Sequence, residues 1–550
     1  MKTYRWIILG TIACILITAG AYYWATSTIG SLYVFRSPLH DNPPTPGQSL
    51  GQPLTHRVVF VLIDGLRDDT SRKPEVMPFL NELRGQSAWA TVHSRTPSYS
   101  DPGWSALMIG AWPDVSDGPA MNTPYDTTPA WTQDNLFSAA HRLSLKTGFS
   151  GFYWWKKLIP PTDVDASFYN QGEDQTADRE VVDAALTWLH DEDYQLVLIH
   201  LEQVDYAGHF EGGPRDPRWD AAATRADGLL KEIVSTLDLN RDTVLIVSDH
   251  GQIDRGGHGG QEPITMVEPF VLVGAGVKPG KYPDIQQVDV APTVAALLGL
   301  NTPATAQGIV QTDMLTLSDD QKAKIGAALL AQKSQLAAGY LKAIGASADL
   351  QPTADSASGI IQAMDSAKAK RLNAERIPRF GFAILLAAIP AIVLIKKRDK
   401  TIAWLLGGAV LYLVLFNVRY AILDRRTYSL SSVLSSGDII GYAAVTAGLA
   451  LVIAWLATSI AIGSFKAKRR QAAETTLAMT FVILYLLSLP ILWSFALNGA
   501  LGAVVSWTLP DVASAFMAVL FTLQSLVVAA AGLVLTGVTT LIAFSIRRKS

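Results

Sequence analysis

The sequence predicts an α/β layered domain built on a mainly parallel sheet, joined to an α-helical multi-span membrane domain. Three observations carry this. Near-continuous apolar runs ending in polar residues occur at "RVVFVLID" (57–64), "YQLVLIHLE" (194–202) and "DTVLIVSDH" (242–250). Strands buried on both faces of a parallel sheet read this way. Helical patterns lie between them at 176–190 and 217–237, and strand–helix alternation marks an α/β layer. Long apolar stretches occupy the N-terminus and everything beyond residue 377.

A chain of 550 residues is too long for one core. A net charge of −3 gives no case for a nucleic-acid partner. Only 17% of residues are charged, which points toward membrane. Cys14 is the single cysteine, so neither an internal disulfide nor a cysteine metal cluster forms.

Residues 6–24 are apolar and long enough to cross a bilayer, with Lys2 and Arg5 before them. "AGA" at 19–21 resembles a signal-peptidase site. The length of the run and the aromatic belt of Tyr22, Tyr23 and Trp24 favour an uncleaved signal anchor over 1–28. Either reading exports the polypeptide C-terminal to this segment. Residues 29–53 read as a linker, rich in Pro, Gly, Asn and Gln from 38 onward. The globular domain is expected over 54–316. A capping box at Ser318–Gln321 opens connecting helices over 317–376, with Ile325, Leu329, Leu336 and Tyr340 at helical spacing.

The membrane domain, 377–550, contains expected spans near 377–395, 401–423, 439–463, 475–497 and 514–543. Basic clusters at 396–400, 466–470 and 547–549 alternate with them. By the positive-inside rule, six spans close with both termini cytoplasmic and 54–316 extracytoplasmic, in the plasma or an equivalent membrane. Arg419, Arg425 and Arg426 fall outside, either near lipid phosphates or as an exception to the rule. The spans hold few ionisable groups, so an anchor that also receives a lipid fits better than a transporter. Gln524 reads as a helix–helix contact.

Ligands in open α/β sheets collect at the carboxyl ends of strands. Asp64, Asp205, Asp249 and His250 fall at or just past such ends, and His209 and His258 sit beside glycines. Three Asp and three His in this setting suit divalent metals with positions left open for substrate. His93, His141, His190 and His200 lack that setting and read as structural.

Together, Asp64-Gly65, "D-x-x-G-H" at 205–209, "S-D-H-G" at 248–251 and "G-x-H-G" at 256–259 resemble the alkaline phosphatase superfamily. They look most like its nucleotide pyrophosphatase/phosphodiesterase branch, over roughly 56–310. "HLEQVDYAGHFEGGP" and "SDHGQIDRGGHGGQEPITMVEPFVLVGAGVK" look closest to glycosylphosphatidylinositol (GPI) ethanolamine phosphate transferases, which share the architecture of one N-terminal span, an exported domain and a multi-span region. The resemblance implies an alkaline-phosphatase-like fold and a metal-dependent phosphodiesterase or phosphoethanolamine-type transferase acting on lipid or glycolipid head groups. It implies two divalent metals, one held by Asp205, His209 and His258, the other by Asp64, Asp249, His250 and Ser100. Zinc suits this Asp/His set, with manganese or magnesium as alternatives.

Relatives place their Ser or Thr nucleophile ten residues before the glycine of a "T/S-G-x-x-P" turn. Gly110 and Pro113 supply that turn here, which singles out Ser100, followed by Pro102. The resemblance implies a phosphoseryl intermediate on Ser100, resolved by water or an acceptor alcohol. One position departs. Phosphodiesterases carry Asn and the GPI transferases Arg three after the nucleophile, where this chain has Gly103. Phosphate must then be held by backbone N–H groups, metals or another side chain. Trp154 and Trp155 in "GFYWWKK" (151–157) read either as substrate-binding aromatics or as a core strand end. Two other functions compete. A sulfatase would need Arg where Trp104 stands and paired Asp where Asp64-Gly65 stands. A non-catalytic receptor or scaffold would not need to keep all six metal-type ligands.

Overall fold

The computed structural model describes residues 5–346, 356–396, 400–499 and 507–549. Tyr33–Leu372 form one compact unit, and the apolar helices on either side of it in sequence form another.

In the first unit, nine strands among the described residues make one sheet: β1 (Arg57–Ile63), β2 (Ala88–His93), β3 (Lys146–Phe152), β4 (Ala166–Asn170), β5 (Tyr194–Leu201), β6 (Asp242–Val247), β7 (Val267–Gly274), β8 (Gly280–Lys281) and β9 (Ile285–Gln286). The order is β4-β3-β5-β1-β6-β7-β2-β8, with β9 beside β2. β4, β3, β5, β1 and β6 run parallel. β7 runs against both β6 and β2. The sheet is mainly parallel, as strand–helix alternation predicted.

The three apolar runs are continuous because their strands are covered on both faces. Val58, Phe60 and Leu62 pack into one layer with residues of helices Ser100–Ile109, Leu136–Arg142 and Val290–Leu297. Val59, Val61 and Ile63 pack into the other with residues of helices Pro78–Arg84, Gln175–Leu189 and Pro217–Ser235. All seven residues of β1 are buried.

The stretch read as a linker folds onto this unit. Leu39 and Leu50 join its core, Leu50 N–H donates to Leu300 O at 2.9 Å, and the buried Asp117 accepts from Ser37 N–H at 2.8 Å and from Arg36. Composition rich in Pro and Gly did not reveal those partners, which lie far along the chain. Helix Asp319–Ala343 opens on the expected capping box. It buries Ile325, Leu329, Leu336 and Tyr340 in the same core.

In the second unit, six helices among the described residues are long and apolar enough to cross a membrane: Ile7–Tyr33, Ala357–Lys396, Lys400–Leu423, Ser436–Ile462, Arg469–Asn498 and Val512–Ile546. Gln524 accepts from Tyr412 Oη at 3.1 Å, a helix–helix contact. Arg426 grips Asp438 through two bonds of 2.7 and 2.9 Å.

Lys333 on helix Asp319–Ala343 is fully buried, and its Nζ donates to Ala306 O at 2.5 Å. Burial drives its pKa down to about 7, against the pull of Asp289. Between about pH 7 and its ordinary value of 10.5, the unfolded chain binds a proton there that the native chain does not. Native stability therefore rises with pH across that window. Relative to Lys333→Met, the wild type should gain at most about 1.4 kcal/mol per pH unit between pH 7 and 9. Thermal unfolding of both proteins at several pH values checks this; parallel profiles would contradict it.

Candidate metal centre and nucleophile

Strand order assembles the centre. β5, β1 and β6 are neighbours, and Leu62 pairs with both His200 and Val247. Their ends are therefore level, and Asp64, Glu202 and Asp249 leave the sheet side by side. Gly65 turns the chain there at φ +70°, and a Cβ on it would sit 2.9 Å from Asp205 Oδ1. Its N–H donates to Asp249 Oδ1 at 3.2 Å.

Helix Gln203–Phe210 sets Asp205 and His209 one turn apart on one face, 3.3 Å between Oδ2 and Nε2. The loop after β6 folds back, with Gly257 N–H on Gln252 Oε1 at 2.8 Å. This brings His258 Nε2 to 2.9 Å from His209 Nε2 and 3.6 Å from Asp205 Oδ1. Among the described residues, three groups of side chains lie close enough to share a cation: Asp205, His250 and His258; Asp64, Asp249 and His250; Asp64, His200 and Glu202.

Ser100 opens helix Ser100–Ile109, after Tyr99 in extended conformation. Gly110 closes that helix at φ +72°, and Pro113 starts the next. The turn found in sequence is thus a helix C-cap. Ser100 Oγ lies 3.2 Å from His250 Nε2, at the positive end of the helix. Asn122 Nδ2 approaches the same oxygen at 3.5 Å, while Asn122 Oδ1 accepts from Asp101 N–H at 3.0 Å. Asp101 Oδ2 in turn accepts from Thr123 N–H at 3.1 Å, which ties the Asn122 loop to the helix.

Two imidazoles are each fixed through Nδ1 by a backbone carbonyl. Nδ1 of His250 faces the Gly251 carbonyl at 3.2 Å, and Nδ1 of His258 faces the Ser98 carbonyl at 3.0 Å. A carbonyl only accepts, so each Nδ1 carries a proton and each Nε2 points at the carboxylates. The two rings stack at 3.8 Å. His250 Nε2 is 3.3 Å from Asp64 Oδ1 and 3.6 Å from Asp249 Oδ2. Those two oxygens are buried without a hydrogen bond.

Charge here is unbalanced. Burial, then the neighbouring Asp64, hold both Asp249 and Glu202 well above the usual carboxylate range. Burial would raise Asp64 too, but its hydrogen bond with His200 and the attraction of the adjacent His250 carry it well below. Burial opposes a charge on His250, yet Asp249 and Asp64 raise it to about 10. Burial and then repulsion from His250 lower His258 to about 3. Buried carboxylates at this density need cations. The orphaned oxygens and the facing imidazole nitrogens are the donor set that a divalent cation takes.

All six expected ligands and Ser100 converge. Other expectations are corrected. Trp155, read either as a substrate-binding aromatic or as part of a core strand end, is fully buried and stacks on Trp104 at 4.7 Å. Trp104 Nε1 donates to Asp64 Oδ2 at 3.0 Å, so the pair buttresses Asp64 from the core. Trp154 is half-buried against Phe152. Gly103 N–H donates to Tyr99 O at 3.0 Å, and a Cβ there would sit 3.0 Å from both Asp249 Cβ and Asp249 O. The helix needs glycine to pass that close. His200, read as structural, places Nε2 3.0 Å from Asp64 Oδ2 and 3.7 Å from Glu202 Oε1. A polar residue inside a buried apolar strand was its signal. Asn122 had none, because its loop carries no periodicity.

Residues 58–262 match the family model "Type I phosphodiesterase / nucleotide pyrophosphatase". The chain is 30% identical over 300 residues to the human "GPI ethanolamine phosphate transferase 2, catalytic subunit", covering 48% of this chain and 29% of that protein. It is 28% identical over 333 residues to the human "GPI ethanolamine phosphate transferase 3, catalytic subunit", covering 54% and 30%. The alignments thus span about a third of the length of these relatives. Among solved structures, murine ectonucleotide pyrophosphatase / phosphodiesterase 5 aligns with TM-score 0.38 and 13% identity over 45% of this chain and 96% of its own. Alkaline phosphatase PafA aligns with TM-score 0.38 and 12% identity over 48% of this chain and all of its own.

Chelation should lower the melting temperature of the detergent-solubilised protein by about 5 °C or more, given cations held near a hundredfold above Kd. Readdition of zinc or manganese should restore it, and Asp249→Asn should blunt both changes. An unchanged melting curve would count against a cation at this centre. Gly103→Asn should impair the protein rather than improve phosphate binding, because the new side chain meets the Asp249 backbone. Comparing its melting temperature and cation response with the wild type tests this.

Proposed function

We propose that the protein is a membrane-embedded, two-cation phosphodiesterase or phosphoethanolamine-type transferase that uses Ser100 as nucleophile on lipid or glycolipid head groups. The observation that carries this is the placement of Ser100 Oγ. It lies at a helix N-terminus, 3.2 Å from His250 Nε2, beside the orphaned oxygens of Asp64 and Asp249.

Asp64, Asp249, His250 and Ser100 would hold one cation, and Asp205, His209 and His258 the other. Bound divalent cations supply acidity that favours the Ser100 alkoxide and neutralises phosphate charge. Ser100 Oγ forms a bond to phosphorus as the bond to the leaving alcohol breaks, and the serine proton ends on that alcohol. Asn122 Nδ2 would hold a nonbridging phosphate oxygen, the task that Gly103 leaves open, since the N–H groups of Asp101 and Gly103 are already bonded and Pro102 has none. Trp104 and His200 keep Asp64 oriented. Water or an acceptor alcohol then takes phosphorus from Ser100, which separates hydrolase from transferase.

Six bilayer-length helices and relatives named as ethanolamine phosphate transferases support a lipid or glycolipid phosphodiester as substrate. The alternation of basic clusters supports cytoplasmic termini and an exported catalytic unit. Zinc is the metal that the Asp/His set favours.

Full-length protein in lipid nanodiscs containing phosphatidylethanolamine tests the mechanism. Ser100→Ala should lower head-group release at least about 1000-fold, and Asn122→Ala about 100-fold. Turnover that survives Ser100→Ala would sink the assignment. Head group appearing on an added glycan, rather than in water, would mark a transferase.

A further inference from the structure

The membrane unit holds a cavity of about 380 Å³ among helices Arg5–Tyr33, Ala357–Lys396 and Arg469–Asn498. Its walls include Leu16, Gly20, Trp24, Phe382, Leu386 and Tyr485. The volume suits a ligand site of about 300–1000 Å³. Polar side-chain groups on the wall are already used: Tyr485 Oη donates to Ala387 O at 2.9 Å, Ser488 Oγ to Tyr485 O at 2.7 Å, and Trp24 Nε1 to Gly499 O at 3.0 Å. Water or a sugar would find no partners here, so the occupant is apolar.

Two observations make that occupant a lipid chain. Only 6% of the most apolar window of helix Ala357–Lys396 is buried, against 44% for Ser436–Ile462 and Arg469–Asn498. The wall that this helix forms is therefore open sideways, and Phe382 on it is half exposed. Within two turns of Phe382 lie Arg376 and Arg379. Arg376 Nε donates to Leu497 O at 3.1 Å, and its terminal nitrogens make no hydrogen bond among the described residues. Arg376 and Trp24 thus bond carbonyls two residues apart, Leu497 O and Gly499 O, and Arg with Trp is the pairing expected at a membrane interface. Apolar slot and free cation together match the two ends of a phospholipid.

We propose that this cavity binds an acyl chain of the phospholipid substrate, with its phosphate toward Arg376. The substrate part rests on the lipid head-group reading above; the binding part does not.

Gly20 offers the test, because a Cβ on it would meet nothing within 4 Å. Gly20→Phe fills the slot, and Gly448→Phe, at an equally open glycine on helix Ser436–Ile462, is the control. Wild type and both variants would be reconstituted in nanodiscs with phosphatidylethanolamine bearing a diazirine in its acyl chain. After irradiation, mass spectrometry maps the adducts. They should concentrate on 16–24 and 382–390, fall at least about fivefold in Gly20→Phe, and persist in Gly448→Phe. Adducts spread evenly over the six helices, or unchanged in Gly20→Phe, would overturn the proposal. If Gly20→Phe misfolds, Leu386→Trp takes its place.

Activity then separates the two readings. Gly20→Phe should lower kcat/KM for phosphatidylethanolamine about tenfold, the value of one or two buried methylenes, and leave bis(p-nitrophenyl) phosphate unaffected. Equal loss on both substrates would overturn the substrate role. Site-specific adducts on a wild type that cleaves no lipid would leave a lipid site in place and remove the head-group reading instead.

Discussion

Four acidic side chains, Asp64, Glu202, Asp205 and Asp249, are buried together where three neighbouring parallel strands end. Coulomb repulsion and lost hydration would drive such a group apart. The surrounding structure is arranged to prevent that. Gly65 lets the chain turn where any side chain would meet Asp205. Trp104 and His200 each donate to the same oxygen of Asp64. The His258 loop folds back to set a neutral imidazole against His209 and Asp205. What remains unmet is charge, and cations are the means of meeting it.

Ser100 reaches this centre from a different part of the fold. Its helix follows β2, which is separated from β1 by β6 and β7. The helix must cross toward Asp249, and it does so with Gly103 against the Asp249 backbone. The same crossing that brings Ser100 to the centre removes the space that a side chain at 103 would occupy. Asn122, carried by a loop tied to Asp101, reaches Ser100 Oγ from the other side.

The membrane unit divides its labour too. Helices Ser436–Ile462 and Arg469–Asn498 are well buried, and polar contacts tie helix Val512–Lys549 to its neighbours, Thr539 to Trp455 and Thr476 and Gln524 to Tyr412. Ala357–Lys396 is scarcely covered. In lipid there is no hydrophobic force pressing helices together, so small residues and specific contacts decide which ones close up. Where they do not, as at Gly20, a lipid-accessible slot is left.

Much was legible without coordinates. Continuous apolar runs gave three central strands, because burial on both faces is a local constraint on composition. The capping box at Ser318 and the turn at Gly110 were legible for the same reason, and so were the apolar spans. The six Asp and His residues that meet at the centre could be named because each follows a strand or sits beside a glycine. What only the tertiary structure decided is which distant residues meet. "WW" at 154–155 reads the same in sequence whether it faces substrate or core, and only the stacking of Trp155 on Trp104 separates the two. Likewise His200, Asn122 and the fold-back of residues 34–53 depend on strand order and helix crossing. Those are set by packing between elements far apart in the chain, and no local period records them.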